Sequence, residues 1–120
     1  MSSEQSKRLN PMVITDPDEG REYTLEFTRR TVVKLERAGF DLNKMDSSPM
    51  TMIPLMFWGA FLARHPSMTR EQTDKILFEG LGGLGEEEMA YLGKLYSAPF
   101  QTLIAGSDES ANPRKMAVKF

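Results

Sequence analysis

Few residues in this 120-residue chain have the types and spacing that chemistry requires. The sole histidine, His65, ends an apolar run and stands directly before Pro66. Histidine can act as a general base or a metal ligand, but a metal site needs further His, Cys, Asp or Glu donors around it. The chain has no cysteine, and no pattern of such residues accompanies His65. At a helix C-terminus the simpler role is that of a dipole partner or cap. A second candidate is the run Gly80-Leu81-Gly82-Gly83-Leu84-Gly85, which invites comparison with a phosphate-cradling loop. It lacks the preceding strand and the Gly-Lys-Ser/Thr ending of a P-loop. Glu86, Glu87 and Glu88 follow at once and would repel phosphate, so the run reads as a linker between helices.

The same three carboxylates bear on DNA binding. Two helices joined by a glycine turn suggest a helix-turn-helix, whose second helix leads into the major groove with its N-terminal residues. Here those residues are Glu86, Glu87 and Glu88, the wrong charge for that groove. The one basic cluster is Arg29, Arg30, Lys34 and Arg37, of which Arg30, Lys34 and Arg37 fall at i, i+4 and i+7 on one helical face. It is an ordinary solvated face or a contact for an acidic partner. No nucleophile–base pair and no isolated acid–base carboxylates emerge, so the chain is expected to be a non-catalytic binding or assembly protein without a cofactor.

Composition sets the frame for the elements that hold these residues. The chain is 40% hydrophobic and 27% charged, ordinary for one small soluble domain. A net charge of −2 gives no electrostatic case for nucleic acid or an anionic membrane. The absence of cysteine excludes disulfides and fits a reducing compartment. Nine methionines are many for this length, and methionine is over-used both in irregular cores and on surfaces that accept partners.

The central stretch Thr51–His65, TMIPLMFWGAFLARH, carries no charge before Arg64 and is apolar on nearly every helical face. Such a helix must be buried by neighbours. At about fifteen residues it is too short for a membrane span, which needs about 20. Ahead of it, Met12–Thr15 and Arg21–Phe27 read as two strands around the turn residues Asp16-Pro17-Asp18-Glu19-Gly20, the second with Tyr23, Leu25 and Phe27 on one face. Thr28 caps a helix running to Ala38, and Gly39 with Phe40 suits a Schellman ending. Ser48 or Thr51 starts the central helix, and Pro66 stops it. Thr69 and Gln72 have capping-box spacing for a third helix with Ile76, Leu77 and Leu81 on its apolar face. A fourth opens at Glu86 and turns Met89, Leu92, Leu95 and Tyr96 inward, with Phe100, Leu103 and Ile104 further on and a kink or a separate turn at Pro99. The expected fold is α+β, mostly α: an N-terminal β-hairpin packed on a compact bundle of about four helices. Residues 1–10 are expected to be a disordered tail, 11–104 a single domain, and 105–120 a flexible tail. One side of the central helix, through Met52, Met56 or Phe57, is the expected partner-binding surface, with Arg30, Lys34 and Arg37 as a second candidate.

The order of these pieces carries a resemblance. A hairpin (Tyr23–Phe27) leads into a T-x-x-x-[VL]-x-x-[LM]-E-x-x-G helix (Thr28–Gly39). A polar loop then precedes an L-x-x-x-F-x-A-x-L-x-x-H-P helix (Leu55–Pro66), and a T-x-E-[QE] box (Thr69–Gln72) opens the next. Across about residues 12–104 the chain resembles the tail assembly chaperones of long-tailed, non-contractile phages and related prophages, with Leu35-Glu36-Arg37-Ala38-Gly39 the most family-like run.

That resemblance implies a small, mostly helical, non-enzymatic protein in the cytoplasm of a bacterial host. It would chaperone the tape measure protein, with tail-tube protein a second candidate partner, during tail morphogenesis. A homo-oligomer is compatible with it, and neither nucleic acid nor membrane is expected as a partner. Many members of that family are also made in a longer, frameshifted form. The alternatives are a structural or connector component of a virion and, further off, a small DNA-binding regulator.

Overall fold

Turn chemistry sets the first element. In the computed structural model, which describes residues 9–103 and 116–120, Asp16 Oδ1 accepts hydrogen bonds from the Asp18 and Glu19 N–H groups. Gly20 takes the positive φ that closes the turn. Strands β1 (Met12–Asp16) and β2 (Arg21–Leu25) pair antiparallel around it, with Met12 opposite Leu25 and Ile14 opposite Tyr23. Leu25 and Phe27 are buried and Tyr23 half-buried, while Val13 and Thr15 face outward. The expected tails and Ile104 lie largely or wholly outside the described residues.

Helix α1 (Arg29–Arg37) begins and ends as its sequence dictates. Thr28 Oγ1 accepts from the Thr31 N–H at 3.2 Å, and Thr31 Oγ1 accepts from the Thr28 N–H at 2.9 Å. The expected N-cap at Thr28 is thus part of a capping box made by two threonines. At the far end the Gly39 N–H bonds the Glu36 carbonyl and the Phe40 N–H bonds the Leu35 carbonyl, the paired bonds of a Schellman motif. Gly39 has φ +104°, which a side chain would strain.

Helix α2 (Pro49–Phe61) is the axis of the molecule. Leu55, Met56, Phe57, Ala60 and Phe61 are all 2% exposed or less. The hairpin covers it through Leu25 and through Tyr23, whose ring lies 5.6 Å from that of Phe61. Helix α1 approaches so closely that a Cβ at Gly59 would stand 2.8 Å from Leu35 Cδ1. The Glu26 N–H bonds the Ala60 carbonyl at 3.0 Å and pins the exit of β2 to the end of the helix.

Helix α3 (Arg70–Lys75) opens on the capping box foreseen, with Thr69 and Gln72 bonding each other's backbone N–H. It does not continue regularly. Ile76–Gly80 form a π turn, in which the Leu81 N–H reaches the Ile76 carbonyl. This wider turn buries Leu77 but turns Phe78 outward and leaves Leu81 in the linker, 39% exposed, rather than on an apolar helix face. Helix α4 (Glu86–Ser97) follows, its first turn closed by Glu88 Oε1 accepting from the Gly85 N–H. A 3₁₀ turn, Ala98–Thr102, starts at the expected proline. Leu103 beyond it is exposed, not core. The architecture is therefore α+β and mostly α, a two-stranded hairpin followed by four helices.

Tyr96 of α4 joins the layers. Its ring lies 5.3 Å from Phe27, 5.1 Å from Phe40 and 5.3 Å from Phe100. Burial, with Glu36 and Asp41 adding to it, raises the Tyr96 pKa above the ordinary tyrosine value of about 10. The folded chain thus holds this proton after the unfolded chain has released its own. The neutral phenol's contribution is complete below the unfolded pKa and is lost as pH rises through the folded one. We expect urea midpoints to fall on the alkaline side of about pH 10 and the Tyr96→Phe variant to fall less steeply there. Equal slopes would remove Tyr96 as the cause.

Candidate functional site

His65 is not a cationic cap for α2. The helix ends at Phe61, and His65 Nε2 accepts a hydrogen bond from the Thr24 N–H, 41 residues away, at 3.1 Å. Accepting there uses the Nε2 lone pair of the imidazole. The imidazole packs edge-on to Tyr23, with ring centroids 5.5 Å apart, and Arg64 beside it pairs with Glu26. This corner faces a shallow cavity of about 470 Å³ lined by Arg21, Glu22, Tyr23, Arg64, His65 and Gln72 among others. A hydrogen bond to Tyr23, then the charge of Glu19, raises the Arg21 pKa further above its ordinary value. Within the cavity, which Ser67 also lines, the histidine Nε2 is committed to the Thr24 backbone N–H. The corner works as a clasp between hairpin and helix. Replacing His65→Phe keeps a ring but leaves the Thr24 N–H unpaired. We expect a loss of about 1 kcal/mol and faster amide exchange at Thr24; unchanged exchange at that amide would contradict the clasp.

The expected partner surface on α2 needs correction. Met52 is 6% exposed, Met56 1% and Phe57 0%. The hairpin, α1, α3 and α4 pack around α2, so these three side chains are core. What remains open lies on the first turns of the same helix. Met50, at the second helical position, is 84% exposed. Pro49, Met50, Ile53 and Pro54 form one wall of an apolar groove of about 150 Å³, and Leu77, Phe78, Gly83 and Leu84 form the other. Phe78, 55% exposed, stands at its mouth.

Two local features build this groove. Pro54 has no N–H for the Met50 carbonyl, so the α2 wall includes an acceptor without its helical donor. The π turn rotates Phe78 out of the core and carries the chain into the glycine linker, where Gly83 N–H returns to the Leu77 carbonyl. The surroundings are acidic in sequence: Glu79 adjoins Phe78, and the exposed Glu86, Glu87 and Glu88 follow Leu84. Met50 was available to sequence reading as part of the apolar run, but nothing marked Phe78 as exposed except its place before the glycines.

The basic face is where its spacing put it. Arg30, Lys34 and Arg37 are exposed on α1, and none of them makes an ion pair among the described residues. Among those residues no cluster of His, Asp and Glu is arranged to hold a metal ion, and no helix is long and apolar enough to cross a membrane. Compared with known proteins, the chain matches over residues 1–120 the family described as Domain of unknown function (DUF5055). No curated protein and no solved structure matches it.

Proposed function

We propose that this chain, which belongs to the DUF5055 family over all 120 residues, is a non-catalytic assembly chaperone that holds an apolar helical client. The observation that carries the reading is the groove between α2 and the π turn. It is apolar, uncovered, and bounded by two large exposed side chains, Met50 and Phe78. An amphipathic helix laid across it would insert one bulky anchor side chain, the usual economy of helix-in-groove recognition. The resemblance to the tail assembly chaperones names the client class: a phage tape measure protein, met in the cytoplasm of the bacterial host during tail assembly, with tail-tube protein the second candidate. The basic face of α1 is then left for acidic residues of the same client.

The test is co-expression with the tape measure protein encoded beside this chain. Co-purification, with the tape protein kept soluble, supports the reading. An uncomplexed chain and a tape protein of unchanged solubility would end it.

A further inference from the structure

One other apolar surface of the molecule lacks cover. Residues Met116–Phe120 are exposed, with Met116 at 83%, Val118 at 63% and Phe120 beyond 100% of its reference area. Apolar side chains alternate there, at 116, 118 and 120, as in an extended strand that buries one face. We propose that this segment is an internal occupant of the Met50–Phe78 groove, docking there with the Phe120 ring as its anchor. The inference deepens the client-binding reading, since it assigns that groove a competitor carried on the same chain.

Size, charge and reach all favour this occupant. An apolar cavity of about 150 Å³ is the size that takes a benzene ring. Phe120 supplies such a ring at the end of a short unstructured run. The segment brings Arg114, Lys115 and Lys119, with no acidic residue after Glu109, whereas the chain on either side of the linker wall carries Glu79 and Glu86–Glu88. Opposite charges at a partly shielded rim steer and register the contact.

Reach is the third point. Helix α4 and the 3₁₀ turn carry the chain about 30 Å away from the linker wall at their standard rises per residue. Residues 104–115 lie between Leu103 and Met116, and a stretch of that length spans up to about 40 Å. The segment can therefore return to the groove of its own molecule, and a same-chain contact is favoured over a second copy by the high effective concentration of a short tether.

The absence of cysteine makes the test clean. In the full chain, Thr51→Cys is placed beside the α2 wall without removing a lining side chain, and Ala117→Cys is placed within the segment; both positions are exposed. Under mild oxidation we expect an intrachain disulfide to form about tenfold faster than in the control pair Thr15→Cys with Ala117→Cys, the scale of burying one ring. Adding Phe120→Ala should return the rate to that of the control, while circular dichroism stays unchanged in every variant. Rates equal to the control, or insensitive to Phe120→Ala, would overturn the proposal. Concentration-dependent interchain dimers without the intrachain product would overturn it as well, and would place the segment on a second copy. No client enters this experiment, so its failure leaves the client reading standing, and failure of the co-purification leaves the disulfide result intact.

Discussion

The Phe61→Ala variant is expected to lose about 3–5 kcal/mol of stability, the range for deleting a buried aromatic ring. Phe61 is completely buried at the end of α2, and three neighbours lean on it. Phe57 meets it edge to face at 5.1 Å, the Tyr23 ring lies tilted at 5.6 Å, and the His65 ring lies 6.2 Å away. Truncation removes the ring against which both the hairpin and its histidine clasp are set, and the two strands are too few to stand without a helix beneath them. Against a typical total of about 5–15 kcal/mol, this is about a fifth of the stability or more. In urea the midpoint should drop by about 2 M at an unchanged slope. Phe78→Ala is the comparison: the same deletion at an exposed ring should cost no more than about 0.5 kcal/mol. If the two variants unfold together, the division between core and groove drawn here is wrong.

The second large effect is on binding. With Met50→Asp and Phe78→Asp combined, we expect the complex with the tape measure protein to weaken at least about 100-fold, because a client would have to bury carboxylates in an apolar groove without partners. Stability should barely move. Both side chains are exposed, and a carboxylate at position 50 falls in the first turn of α2, where it suits the helix dipole. The measurement is co-purification together with thermal melting. A complex that survives both substitutions with an unchanged fold would move the client off this groove.

Much of the fold was readable because its signals are local. Thr28, the Gly39-Phe40 pair and the Thr69–Gln72 box each act within six residues of chain, and each does in the structure what its chemistry foretells. The hairpin likewise follows from the Asp16–Gly20 turn and the alternation after it. The central helix is less legible in the sequence for a physical reason. Apolar on all sides, it has no stripe to say which face turns outward, and Met52, Met56 and Phe57 look no different from Met50 in sequence. Neighbours settle the matter: beyond the first turns of α2 every residue except the half-buried Trp58 is enclosed, whereas Met50 and its surroundings stay open. The exposure of Phe78 is not legible in the sequence because a π turn shifts the residues after Lys75 off the helical period. The Thr24–His65 bond spans 41 residues and leaves no trace in either local sequence.

Where the hairpin is fastened has a bearing on the order in which a growing chain can take shape. The inner side of β2 is tied to Ala60 and His65, both made within 45 residues of it. The chain just ahead of β1 is fastened much later, when the Tyr91 hydroxyl donates to the Asn10 carbonyl at 2.6 Å across 81 positions. Bringing such distant points together carries an entropic cost that only the assembled helices can offset. At about 5–20 residues per second, about 1–5 s of translation separate the two events. During that interval the first half of the molecule has its helices but not its final seal, and the wall formed by Pro49, Met50 and Ile53 emerges from the ribosome before the residues that complete the domain.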